Sequence, residues 1–281
     1  MNPASDDGVF LGGKRQMSRT VASERISQRA FVGVSALLFV ASTAVTIVRS
    51  TSMSEMDEMP MPGGWTMSMT WMRMPGQTWL GAAASFVGMW VVMMMAMMLP
   101  SHVPMLSRYR QAIRKAAGAR VGWLTTVAGI GYFLAWSVYG IVAFPLGAAL
   151  TALAMQQPAL ARAVPIAAGV VVLFAGALQF TAWKAHHLAC CRHATVLDSV
   201  LQALAGSALR LGLRLGIECI RCCGALMAVL LVSGFMDVPM MTVVAAAITV
   251  ERLAPAAESA ARAVGVAAVA AGLFLIVRAV S

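Results

Sequence analysis

Seven apolar windows, near residues 30–48, 79–99, 121–146, 163–183, 215–235, 238–254 and 263–280, leave this chain little choice but to cross a bilayer. A helix needs about 20 residues to cross about 30 Å of hydrocarbon. Backbone in lipid must satisfy its own hydrogen bonds, and uniform apolar windows do so as helices, not as the alternating strands of a barrel. With 60% hydrophobic and only 11% charged residues, the chain is no ordinary soluble domain. The sequence predicts an all-α, polytopic transmembrane bundle of about seven spans over residues 29–281. Residues 1–28 are polar and turn-rich and are expected to form a disordered cytoplasmic tail. Some 29 residues before the first span are long for a cleaved signal peptide, so that span is expected to be an uncleaved anchor. The spans leave no room for a sizeable soluble domain, and no solenoid-type repeat is present.

A formal charge of +10 would suggest nucleic acid in a soluble protein, but the positions of the charges point to topology. With the N-terminus in the cytoplasm, inside segments hold Lys14, Arg15, Arg19, Arg25, Arg29, Arg108, Arg110, Arg114, Lys115, Arg120, Lys184, Arg192, Arg210, Arg214, Arg252 and Arg262. These are sixteen of the 21 basic residues, as the positive-inside rule requires. The lipid bilayer is therefore the expected partner, and nucleic acid is not.

Residues 224–250 are apolar apart from Asp237. They exceed one crossing, and Asp237-Val-Pro239 is turn chemistry, so a hairpin of two spans is expected in preference to one kinked helix.

Fifteen of the 22 methionines fall between Met53 and Met105. Eight lie in an outside loop, residues 49–78, interleaved with Glu55, Asp57 and Glu58. One reading is an interfacial loop seated in the headgroups with Trp65, Trp71 and Trp79. The other is capture of a soft cation, since thioethers prefer Cu(I) and acidic neighbours raise the local cation concentration. In the second span Met89, Met93 and Met97 share a face at i, i+4 spacing, beside a stripe of Met94 and Met98. These side chains serve either as flexible packing between helices or as a sulfur ladder across the membrane.

All five cysteines are expected at the cytoplasmic side, where thiols stay reduced, so no disulfide framework is predicted. Span two is expected to end inward at Pro100-Ser101-His102, span four at His186-His187 and Cys190-Cys191, and span five to begin near Cys219, Cys222 and Cys223. The last three sulfurs fall in one helical sector, and Lys184 and Arg221 would favour thiolates there. Three distant segments would thus deliver His102, His187, Cys191, Cys219, Cys222 and Cys223 to one membrane face as a metal or redox site. Glu218 and Arg221 read as an i, i+3 pair, and Gln179, Thr181 and Glu251 as groups that join helices. Gly118-x-x-x-Gly122 and Gly212-x-x-x-Gly216 are weak signals for close helix approach.

The run Met89-Trp-Val-Val-Met93-Met94-Met95-Ala-Met97-Met98-Leu-Pro100-Ser101 resembles the hallmark of a bacterial family described as predicted metal-binding integral membrane proteins. Gln179-Phe-Thr181-Ala-Trp-Lys184 is similar to that family's Gln-x-Thr-x-x-Lys helix end, and Cys219-Ile-Arg-Cys222-Cys223-Gly-Ala-Leu-Met227 to its Cys-x-Gly-Cys-Cys-Trp-Ala-Leu-Met segment. Gly234-Phe-Met236-Asp237 and Glu251-Arg252 resemble its Gly-x-Met-Asn and Glu-Lys signatures. The likeness covers roughly residues 60–255. His187 stands where the family has a first cysteine, and Arg221 and Gly224 stand where it has Gly and Trp. The resemblance implies a membrane protein that binds metal and supplies no ion, substrate or reaction.

Together these readings predict a multi-pass protein of the bacterial inner membrane that binds or translocates a soft metal, copper before others. The metal ligands would be Met89, Met93, Met97, His102, His187, Cys191, Cys219, Cys222 and Cys223, with a metal-delivery or membrane-complex protein as partner. Two alternatives stay open: a thiol-redox enzyme using Cys219, Cys222 and Cys223, and a non-catalytic assembly or anchoring subunit. No hydrolase triad or nucleotide-binding motif is visible.

Overall fold

A computed structural model describes residues 6–54, 59–61, 65–67, 71–73, 76–193, 204–234 and 237–281. Among the described residues the architecture is all-helical apart from one short hairpin: α1 (Asp6–Ser54), β1 (Met59–Met61), β2 (Trp65–Met67), α2 (Trp79–Ala117), α3 (Val121–Gln156), α4 (Pro158–Leu178), α5 (Ala182–His193), α6 (Ala205–Ser233), α7 (Val238–Leu253) and α8 (Ala257–Val280). Six of these helices are long and apolar enough to cross a membrane.

Four boundaries depart from the sequence reading. Helix α1 begins at Asp6, so most of the tail expected to be disordered is helical; a helix formed in the apolar span extends into its flank because each added residue gains a bond. Helix α2 does not stop at Pro100 but runs through Pro100 and Pro104 to Ala117. The fourth window ends early: α4 closes at Leu178, Gln179, Phe180 and Thr181 form a turn, and α5 starts at Ala182. The expected hairpin does form, since α6 stops at Ser233, Gly234 takes φ +124, and Asp237 caps α7 by accepting from the Met240 amide at 2.9 Å. Its return arm has only 16 residues, about 24 Å of helix, so the sixth window falls short of a full crossing by length.

The packing gives the helices their directions. His102 of α2 lies on Tyr132 of α3, while Trp90 donates to the Trp136 carbonyl at 2.8 Å, so α2 and α3 run antiparallel. Helix α6 lies parallel to α3: a Cβ on Gly131 would sit 2.6 Å from the Leu209 carbonyl, and one on Gly216 would sit 2.6 Å from the Ala135 Cβ. Helices α4 and α8 are antiparallel, with Gly265 against Gln179 and Gly272 against Leu173. Lipid is as apolar as leucine, so helices gain little by hiding apolar surface from it; close backbone approach through small residues does the work. Gly212 and Gly216 serve that purpose, whereas Gly118 and Gly122 face open space.

The main core lies among α2, α3, α5, α6 and α7. Of its 23 buried residues, ten carry sulfur: Met93, Met94, Met97, Met98, Cys191, Cys219, Cys222, Cys223, Met227 and Met241. Helix α1 and the outer faces of α3, α4 and α8 present Val, Leu, Ile and Phe outward, as a lipid-facing surface requires.

Candidate soft-metal site

The site begins where α2 carries its two prolines. Neither ring can donate, so the Ala96 and Pro100 carbonyls lose their usual helical partners. Hydroxyls relieve neighbouring carbonyls: Ser101 Oγ donates to Met98 O at 3.1 Å and Ser107 Oγ to Pro104 O at 2.7 Å. Between the prolines sits His102, wholly buried, its ring stacked on Tyr132 at 3.8 Å and 17°. Among the described residues, neither of its ring nitrogens has a hydrogen-bond partner. Buried polar groups are nearly always satisfied, so this imidazole is a donor set in want of a ligand.

One helix away, Cys219, Cys222 and Cys223 are all buried on the inward side of α6. The i, i+3, i+4 spacing brings them into one sector, as the sequence indicates. The Cys219 sulfur accepts from Tyr132 Oη at 3.0 Å and from Arg252 Nη1 at 3.4 Å; the same Arg252 nitrogen donates to Ser101 Oγ at 2.9 Å. Neighbouring thiols interact in the order Cys219, Cys223, Cys222, Cys191, the last contributed by α5. Four sulfurs from two helices thus form one buried group.

Lys184 supports this group from α5. Its Nζ donates to the Cys222 carbonyl at 2.7 Å and meets Glu251 Oε2 at 2.7 Å, while Gln179 Nε2 donates to Glu251 Oε1 at 3.0 Å. Burial pulls the Lys184 titration down, but the Cys222 and Cys223 sulfurs and Glu251 outweigh it, and the net shift is upward from 10.5. Gln179 and Glu251 therefore join helices, as the sequence reading has it.

The remaining expected ligands divide. Met93 and Met97 are buried in the core with Met94 and Met98, while Met89 is half-buried against its edge. His187 lies elsewhere: its Nδ1 is 2.9 Å from Glu218 Oε2, and Glu218 also holds Arg221 at 2.8 Å. The Glu218–Arg221 pair is real, and it turns Arg221 toward the exterior, away from the thiols. Of the methionine loop, residues 49–78, only fragments are described. Their register sets Met59 opposite Met67 and Met61 opposite Trp65, and Trp65 Nε1 donates to Ala161 O at 2.8 Å. Met53, Met56, Met69 and Met74 lie where no side chain is described.

Among the described residues, no three His, Cys, Asp or Glu side chains converge as a ready metal cage. None of the described groups therefore makes a preformed site of the zinc type, with four N or S ligands. The arrangement leaves room for an ion content with few soft ligands, the preference that thiolates and thioethers share for Cu(I).

Sequence reasoning missed Tyr132 and Ser101 as partners of the site and Met227 and Met241 as further core sulfurs. Met227 and Arg252 lie in segments quoted for the family likeness, which was the available signal. No spacing rule reveals Tyr132, because only the α3–α6 packing brings its hydroxyl to Cys219.

No curated protein and no solved structure matches the chain. A family model does, over residues 87–275: it takes in most of the methionine helix, His102, all five cysteines and Arg252, and leaves the methionine loop beyond its limit. That span is well over half of the sequence, so the chain belongs to the PpoB2 family, described as copper chaperone.

Proposed function

We propose that this protein binds Cu(I) inside the bacterial inner membrane and hands it to a partner protein. The observation that carries the reading is the sulfur-lined core, where four cysteines and six methionines lie in one buried cluster beside an unpartnered imidazole. Leucine would pack against lipid or a neighbouring helix as well as methionine does. Ten sulfurs in one place therefore favour a soft ion over mere filling.

In this reading the outside methionine loop collects the ion and the Met89/Met93/Met97 face with Met94 and Met98 relays it. The ion is then held by a few of the soft ligands that His102, Cys219, Cys222, Cys223 and Cys191 offer. His187, engaged with Glu218, lies outside the set. Successive sites of modest affinity let an ion move on, where one very tight site would trap it. Delivery to a partner and passage across the membrane use the same steps; the family description favours delivery.

The test is elemental analysis of detergent-purified protein supplied with Cu(I) under reducing conditions. The wild type should retain stoichiometric copper, and the Cys219→Ser/Cys222→Ser/Cys223→Ser variant should lose most of it. Copper-free wild type would return the protein to an assembly or anchoring role. Reversible thiol oxidation with activity in the absence of metal would favour the redox reading.

A further inference from the structure

We propose that Arg252 is the counter-cation of an anionic copper centre in which Cys219 and Cys223 each bind Cu(I) as a thiolate. The inference rests on the copper reading above and adds to it a ligand pair, a net charge and a positioning residue.

The argument starts from a surplus of buried charge. Around the thiols, the buried charged groups among the described residues are Lys184, Glu251 and Arg252, with exposures of 3%, 0% and 6%; Glu218 and Arg221, less buried, cancel each other at 2.8 Å. Lys184 and Glu251 cancel at 2.7 Å. Arg252 has no carboxylate within ion-pair distance among the described residues; it donates instead to the Ser101 hydroxyl and the Cys219 sulfur. A guanidinium does not lose its proton in a protein. Leaving it buried without an anion is costly, and within a membrane such charges are paired or functional. The core therefore holds one positive charge that awaits one negative.

Cu(I) bound by thioethers and imidazole alone is a cation and would double the surplus. With one thiolate the complex is neutral and the surplus stays. With two thiolates the complex carries one negative charge, and with Arg252 the core is neutral. A third would overshoot, and no trio of such ligands converges among the described residues.

Geometry names the pair. Cys219 takes donors from both Tyr132 and Arg252. Cys223 follows one turn later on the same face of α6, interacts with Cys219, and lies within electrostatic reach of Arg252. Cys222 interacts with Cys223 as well, but its first partner is Cys191, and its nearby cation is Lys184 in place of Arg252. Side chains at i and i+4 are neighbours, about 5–6 Å apart at Cβ, which suits two sulfurs sharing one ion.

Loading balances without redox change. Two S–H bonds break, two Cu–S bonds form, both protons leave to solvent, and copper stays Cu(I).

The experiment uses the full-length protein in detergent, titrated anaerobically with Cu(I) supplied as its acetonitrile complex in weak buffer with a pH indicator. Two protons should be released per copper bound, and none in Cys219→Ser/Cys223→Ser. Competition with a chromophoric Cu(I) chelator should show Arg252→Met binding copper about 10–100-fold more weakly, the usual loss when a group supporting a metal's ligands is removed. Arg252→Lys should stay within a few-fold of wild type. Apo Arg252→Met should melt no lower than apo wild type, because an unpaired buried cation has been replaced by an apolar chain; a purely structural arginine would give the reverse. Fewer than two protons per copper, or equal copper affinity in wild type and Arg252→Met, overturns the proposal while leaving copper binding intact. If Arg252→Met does not fold, the proton count and Arg252→Lys decide. Wild type that binds no Cu(I) at all overturns the copper reading itself.

Discussion

Lys184 Nζ and Glu251 Oε2 lie 2.7 Å apart, with 4% and 0% of their side chains exposed, and each has a further partner in Cys222 O or Gln179 Nε2. The pair clamps the start of α5 to the end of α7, and the same α7 end carries Arg252 to Cys219. Breaking a buried pair by removing one member strands the other charge and costs about 3–5 kcal/mol. Glu251→Gln and Lys184→Met should each lower the melting temperature in detergent markedly, and the doubly apolar variant by less than the sum. Equal additivity would show that the two groups do not support each other.

The pH dependence of that clamp has a definite sign. The folded Lys184 titrates above its ordinary value of 10.5. A raised folded value means the contribution is complete below 10.5 and is lost only as pH climbs through the elevated value. The melting difference between wild type and Lys184→Met should therefore be flat from neutral pH upward and shrink only in strong alkali. A difference that already shrinks between neutral pH and 10.5 would contradict the assignment, whereas shrinkage in acid would report Glu251 taking up a proton.

The α3–α6 crossing is the next point of weakness. A Cβ on Gly212 would run into the Ala128 carbonyl, and one on Gly131 would stand 2.6 Å from the Leu209 carbonyl. Backbone cannot move aside cheaply, so Gly212→Ala should destabilise by about 1–3 kcal/mol. It should also loosen the Tyr132–Cys219 bond that the crossing sets up. Gly122→Ala, with nothing within 4 Å, is the control and should behave as wild type. Thermal unfolding of the two variants side by side separates packing from mere loss of a glycine.

What could be read from the sequence follows from the range of the physics involved. The helices, the hairpin at Gly234 and Asp237, and the shared sector of Cys219, Cys222 and Cys223 depend on local spacing, and local spacing is visible in a sequence. The run through Pro100 was not, because it depends on tertiary packing and serine hydroxyls that tolerate the missing bonds. The partner of His187 was hidden for a similar reason: only the approach of α5 to α6 sets it on Glu218. Arg252 appeared as half of a two-residue likeness; that its charge has no carboxylate became visible only when α7 was laid against α2 and α6.

The methionine stripe gives a separation between packing and relay. Met93, Met94, Met97 and Met98 are fully or almost fully buried, and replacing each with Leu conserves volume at a cost usually below about 1.5 kcal/mol. The fourfold variant should fold, and its cysteine cluster should still take up copper at equilibrium in detergent. In proteoliposomes, copper offered on the methionine-loop side should load more slowly than in wild type. Identical loading rates would reduce these side chains to filler.

His102 makes the last prediction, because its two roles pull in opposite directions. A wholly buried imidazole with both nitrogens unpartnered among the described residues carries the desolvation penalty of an unsatisfied polar group, about 1–3 kcal/mol. His102→Leu removes those nitrogens and keeps an apolar side chain against Tyr132. The apo variant should melt at or above the wild-type temperature. If the ring serves copper, the same change should lower copper retention in chelator competition, so stability and binding move apart. Loss of stability with unchanged copper retention would mean that the stacked ring matters for packing alone.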